Sequence, residues 1–181
     1  GADYSHIDLD RLRCSDSLHL PCLQNAQESP LRRQGKIANF IKEEFGFTKA
    51  AVLYDVASDY PKGLAEFFKA AWEDLNGPGS VVAYESFTTK DADFSSQLTN
   101  IINSGAEVLF TPQYYNEVAL IVQQAHELGW KNPIVGSDSW GSAETVKLCG
   151  KDCYGLFFST HYAAAGAKGA TKAFIDRYEK E

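Results

Sequence analysis

A chain of 181 residues is long enough for one sizeable core and short for two ordinary lobes. Its 44% hydrophobic and 23% charged content is that of a globular domain, and no apolar run approaches the roughly 20 residues of a membrane span. Seventeen basic against 24 acidic residues leave a net charge of −7, which argues against nucleic acid as a partner, because phosphate binding needs a basic surface.

The first residues, Gly1-Ala2-Asp3-Tyr4, have neither a basic n-region nor an apolar h-region, and the chain contains no Met. It is therefore expected to start inside a longer precursor. Leu9 to Cys14 carries a weak strand pattern. Leu18 to Arg33 holds two prolines and no clear period, and reads as a long loop or irregular helix. Residues 1–34 are thus expected to form an irregular segment, and 35–181 an α/β lobe.

From Gly35 onward one unit repeats: a short β-rich run, a small polar loop and an amphipathic helix. Gly35 to Phe45 reads as a helix with Ile37, Phe40, Ile41 and Phe45 on one face, stopped by Gly46. Ala50 to Tyr54 reads as a strand. The helix Tyr60 to Leu75 follows, with Pro61 in its first turn and a stripe of Leu64, Phe67, Phe68, Ala71 and Leu75. Asn76-Gly77-Pro78-Gly79 breaks it. Val81 to Tyr84 and Phe94 to Ile102 repeat the unit, with Asp93 as a helix cap. Glu107 to Phe110 leads to the helix Asn116 to Leu128, striped by Val118, Ile121, Val122, Ala125 and Leu128. Pro133 to Gly136 precedes the helix Ser142 to Leu148. Leu156 to Ser159 precedes a helix near Lys172 to Glu179. Alternation of this kind predicts a three-layer α/β/α, Rossmann-like (flavodoxin-like) parallel sheet in a single lobe.

Of the four cysteines, Cys149 and Cys153 flank a loop short enough to be closed by a bridge. Connectivity is not fixed by sequence, and Cys14 and Cys22 complete an even count. The spacing lacks CxxC pairs, so it does not look like a zinc site.

Open α/β sheets bind ligands outside the C-terminal ends of their strands. Those ends carry Ser15-Asp16-Ser17, Asp55 to Tyr60, Glu85 to Thr89, Thr111 to Tyr115, and Ser137 to Gly141. If the sheet is parallel, they gather the carboxylates Asp16, Asp55 and Asp138 with the rings of Tyr60, Tyr114, Tyr115 and Trp140. Carboxylates beside aromatic faces suit a cationic group. Taken one at a time, each Asp or Ser is better explained as a cap of the next helix. There is no GxGxxG after the first strand, no GxxxxGK[ST] and no GxSxG. Asp55 lacks the paired acids and late Lys of a phosphoacceptor site, and the four histidines are scattered. An enzyme is therefore the weaker reading, and no cofactor is expected.

The run Lys49 to Ala65 resembles the strand–loop–helix of type I periplasmic binding proteins of the leucine/isoleucine/valine-binding family. So do Glu85 to Leu98, Gln113 to Ala125, Ile134 to Trp140 and Gly155 to Thr160, in order from about Gln34 to the C-terminus. The resemblance implies a non-catalytic second lobe of an amino-acid-binding protein serving an ABC importer. Its partners would be an absent first lobe, a membrane permease and a small amino acid, and its location periplasmic or extracellular. By position, Asp16, Tyr114 and Asp138 would hold the ligand's α-ammonium, with Tyr60 lining the site and Trp140 as an added wall. Arg13 to Ser17 resembles the crossing segment into that lobe. Gln34-Gly35, which in the family follows it at once, here comes after Leu18 to Arg33, as if across an insertion. A lone lobe is expected to bind amino acids weakly, and to self-associate through its exposed cleft surface. The competing expectation is an engineered or excised flavodoxin-like scaffold without useful ligand binding.

Overall fold

The computed structural model describes residues 30–159, and beyond them Gly169, Lys172, Asp176 and Arg177. The chain divides into two compact units, Glu28–Ser159 and a second that joins Gly1–Gln27 to Thr160–Glu181. The expected strand Leu9 to Cys14, the site residue Asp16 and the pair Cys14 and Cys22 lie outside the described residues. In the second unit, Lys172, Asp176 and Arg177 are helical, and Lys172 Nζ lies 2.7 Å from Asp176 Oδ1 one turn on.

The first unit alternates strand and helix as expected: α1 (Pro30–Phe45), β1 (Ala50–Asp55), α2 (Asp59–Asn76), β2 (Val81–Phe87), α3 (Ser95–Asn103), β3 (Val108–Phe110), α4 (Tyr115–Glu127), β4 (Ile134–Gly136), α5 (Ala143–Cys149) and β5 (Phe157–Phe158). Two boundaries depart from expectation by more than one residue. Helix α1 begins at Pro30, not Gly35, because a proline suits a helix start. Strand β2 runs on to Phe87, since Glu85 and Ser86 pair with Leu53 and Tyr54 of β1 and so belong to the ladder, not to a loop.

Every strand pairing is parallel, in the order β2-β1-β3-β4-β5. Both faces of the sheet are covered. One face packs on α1 and α2 through Ile37, Ile41, Ala65, Phe68 and Trp72 against Val52, Val108 and Phe110. The other packs on α3, α4 and α5 through Leu98, Ile101, Val118, Ile121 and Val122 against Leu53, Leu109 and Ile134. The alternation of Leu109 and Phe110 to opposite faces follows from the period of a strand. Phe68 stacks on Phe110 at 4.1 Å between ring centroids, and burial of such a ring contributes roughly 1.5–3 kcal/mol.

Two residues of the expected stripes are outside the core: Phe67 and Leu128 are exposed. Leu128 is the C-cap residue, past the last helical residue of α4. Trp72 and Ala65 take the buried places on α2 instead. Gly46 and Gly129 end α1 and α4 with φ of 70° and 90°, which a side chain rarely tolerates. Asp93 does not hold the cap position of α3, which is Phe94, but from one residue earlier its Oδ1 accepts the Ser95 N–H at 2.9 Å. Cys149 and Cys153 form a disulfide with Cα atoms 5.5 Å apart, tying the end of α5 to the turn before β5.

Candidate functional site

The strand order reverses between β1 and β3: β2 lies to one side of β1, and β4 and β5 to the other side of β3. Helix α2, which follows β1, covers one face, and α4, which follows β3, covers the other. The two loops therefore part at this point and leave a crevice above it. Tyr60 opens α2 and Tyr114 precedes α4, so the switch point itself brings these two rings together. They stack at 5.4 Å with their planes 28° apart. Tyr114 is 45% exposed and Tyr115 40%, so the crevice presents aromatic surface to solvent.

Asp138 enters from the third side, in the short 3-10 turn Asp138–Trp140 after β4. The Tyr60 hydroxyl donates to Asp138 Oδ1 at 2.7 Å across the crevice. Burial of the ring pushes the Tyr60 hydroxyl pKa above its ordinary value, and the adjacent Asp138 carboxylate pushes the same way, while the Ser137 and Ser139 hydroxyls pull against it. At neutral pH the phenol is therefore a firm proton donor, and Asp138 its acceptor. A carboxylate beside a stacked aromatic pair suits a cation.

Three of the expected site residues, Tyr60, Tyr114 and Asp138, are thus linked through Tyr60. Asp138 does not cap α5: Ser142 takes that role, its hydroxyl accepting from the Glu144 N–H. Trp140 stands differently from the expected ligand wall. It is 2% exposed, its ring lies on Gly136, and its Nε1 donates to the Gln113 carbonyl at 3.0 Å. Asp55, which sequence position also brings to this edge, is spent on structure. Its Oδ1 accepts from the N–H groups of Ala57 and Thr89, and its Oδ2 from the Thr89 hydroxyl. At 5% exposure it offers a ligand almost nothing.

Sequence reasoning passed over Ser137, Ser139 and Gln113 as individual participants. The Ser137 and Ser139 hydroxyls lie 3.0 Å apart, and Ser139 Oγ donates to the Gln113 carbonyl at 2.6 Å. The one signal available was Gly136 four residues before Trp140, a small residue leaving room for a large one. Among the described residues no group of His, Cys, Asp and Glu is arranged to hold a metal ion. No helix among them is long and apolar enough to cross a membrane.

Comparison with known proteins decides the family. Residues 30–181 match the family model for periplasmic binding proteins. This chain belongs to that family. It is 33% identical over 137 residues to a Leu/Ile/Val-binding protein homolog of Brucella melitensis, covering 75% of this chain and 34% of the relative. It is 26% identical to a leucine-, isoleucine-, valine-, threonine- and alanine-binding protein of Pseudomonas aeruginosa, over 81% of this chain and 38% of that one. Among solved structures, the leucine-binding protein LivK of Thermotoga maritima superposes with a TM-score of 0.77 at 29% identity, over 83% of this chain and 43% of that one. LivJ of Streptococcus pneumoniae, solved with isoleucine, superposes at 0.70 with 33% identity, over 81% of this chain and 42% of that one. The chain therefore spans well under half the length of these relatives. A parallel five-stranded α/β lobe of a solute-binding family is what sequence and structure agree on.

Proposed function

We propose that this lobe contributes the ammonium-binding half of an amino-acid site, as part of a periplasmic binding protein that delivers amino acids to an ABC importer. One observation carries the reading: Tyr60, Tyr114 and Asp138, from three separate elements, converge in the crevice at the switch point. The chemistry follows from the groups present. The Asp138 carboxylate supplies the charge that attracts an α-ammonium. The Tyr60 phenol orients it through its hydrogen bond. The exposed Tyr114 ring offers a π face to the same cation. The relatives named for leucine, isoleucine and valine binding support an aliphatic amino acid as ligand. The amino-acid carboxylate and side chain would be met by a facing first lobe, and the closed pair would dock on a membrane permease in the periplasm.

A half-site leaves most of the ligand in water, so the lone chain binds leucine in the millimolar range or more weakly. Chemical-shift mapping of the 181-residue chain with leucine at tens of millimolar tests the reading. Shifts centred on Tyr60, Tyr114 and Asp138, and absent with N-acetyl-leucine, are expected. Shifts centred elsewhere, or shifts that N-acetyl-leucine reproduces, would overturn it. Micromolar binding would show that enclosure by a second lobe is unnecessary.

A further inference from the structure

The main-chain carbonyl of Gln113 accepts two hydrogen bonds from a single turn: Ser139 Oγ at 2.6 Å and Trp140 Nε1 at 3.0 Å. Gln113 immediately precedes Tyr114, and Ser139 and Trp140 immediately follow Asp138. This one oxygen is thus where the loop carrying Tyr114 is joined to the turn carrying Asp138. The turn is itself anchored from below. The indole lies so close to Gly136 that a Cβ there would fall 2.1 Å from the ring. The Trp140 carbonyl accepts the Thr145 hydroxyl at 3.0 Å, which ties it to α5. Trp140 is 2% exposed and Gln113 1%, so neither offers a solute much surface and little water reaches the carbonyl.

We propose that Ser139 and Trp140 are positioning residues for ligand recognition, which grip one carbonyl and thereby set the placement of Tyr114 against Asp138. The inference rests on the reading that those two side chains hold an ammonium group. A carbonyl oxygen has two lone pairs, and here both are used. Losing one donor leaves the other, so the loop stays in place. Losing both strands a buried acceptor, which can be satisfied only if the loop moves toward water. The signature of a shared acceptor is non-additivity: two mild single substitutions and a severe double one.

The test uses Ser139→Ala, Trp140→Phe and the double variant of this chain. Trp140→Phe keeps an aromatic side chain, removes the donor and leaves a small cavity, so that single variant likewise reports its packing loss by itself. Ser139→Ala also removes the contacts with the Ser137 and Tyr60 hydroxyls, so the single variant reports that loss by itself. The first readout needs no ligand: nuclear Overhauser contacts between the Tyr60 and Tyr114 rings should persist in both single variants and vanish in the double. The second is leucine titration, where each single variant should weaken binding by about threefold or less and the double by about thirtyfold or more. Ser139→Thr in the Trp140→Phe background should restore both readouts. Should the double variant fail to fold, Ser139→Cys with Trp140→Phe keeps a weak donor and should give intermediate values. Asp138→Asn serves as the reference. If it leaves leucine binding intact, the ammonium reading fails. If it abolishes binding while the double variant keeps its ring contacts and affinity, the positioning role alone is overturned.

Discussion

The two edges of the sheet use polar side chains in different proportions. At the N-terminal edge they end on the main chain. Glu107 Oε2 accepts the N–H groups of Thr48 and Lys49 at 2.8 and 2.9 Å. Lys42 Nζ donates to the Leu75 carbonyl at 2.8 Å, and Asn132 Nδ2 to the Ala106 carbonyl at 3.2 Å. Each of these contacts joins one element to the next. At the C-terminal edge, Asp55, Ser139 and Trp140 also anchor on the main chain, but there side chains meet side chains as well, as in Tyr60 with Asp138 and Ser137 with Ser139, and large rings stay exposed. Polar groups spent on the backbone hold a fold together. Polar groups gathered around an aromatic crevice are placed for something outside the chain. Stability and recognition in this lobe can therefore be separated by substitution.

The largest expected effect comes from the sheet that both edges share. Phe110→Ala removes the ring stacked on Phe68 and should cost about 3–5 kcal/mol, a fall in Tm of roughly 10 °C. Calorimetry and circular dichroism should report the same shift. A loss confined to one edge would show that the two edges do not unfold together.

Asp138→Ala should separate recognition from stability. In a protein with both lobes, removing one member of an enclosed ion pair costs roughly 3–5 kcal/mol, more than a hundredfold in affinity at about 1.4 kcal/mol per decade. Folding stability should change by less than about 1 kcal/mol, because Asp138 is only partly buried and does not cap α5. Calorimetric titration with a melting curve alongside checks both halves. Unchanged affinity with a lowered Tm would place Asp138 with the structural groups of the opposite edge.

Gly136→Ala lies between these cases. Its Cβ would collide with the Trp140 ring, so the indole must shift, at about 1–3 kcal/mol. Because Trp140 leads to the Gln113 carbonyl, the substitution should also disturb the Tyr60–Tyr114 stack, which two-dimensional NMR would show. A destabilised chain with that stack intact would confine Gly136 to packing.

How much of this the sequence disclosed follows from what each feature depends on. Strand–helix alternation and the stripes of α1 and α4 were legible because period and burial are properties of side chains. The meeting of Tyr60, Tyr114 and Asp138 was legible because a parallel sheet sends every strand's C-terminal end to one edge. Asp55 looked equivalent to Asp138 by position, and only the turn after the neighbouring strand shows that Thr89 claims it. The grip on the Gln113 carbonyl had no signal at all, since a main-chain oxygen is the same in every residue. Trp140 was legible as a residue of the site but not in its direction, which Gly136 and α5 decide together.

Glu107 sharpens the comparison from the structural edge, with the smallest expected effect. The Thr48 N–H is the chief cause that holds its carboxyl below the ordinary value of 4.5, with the Lys49 N–H and the Thr48 hydroxyl adding to it. A carboxylate with a depressed folded pKa stabilises the native state above its unfolded pKa. That contribution is lost as pH falls from about 4.5 through the lower folded value. Glu107→Gln keeps an acceptor and loses the charge. At pH 7 it should cost about 1 kcal/mol, since the group is well solvated. Below the folded pKa the native residue is itself neutral, so the difference between variant and parent should close. Urea midpoints from acid to neutral pH would show this as two curves converging at low pH. A gap that stays constant with pH would mean that Glu107 acts through shape alone, and the charge at this edge would then do no more than the uncharged contacts of Asn132 beside it.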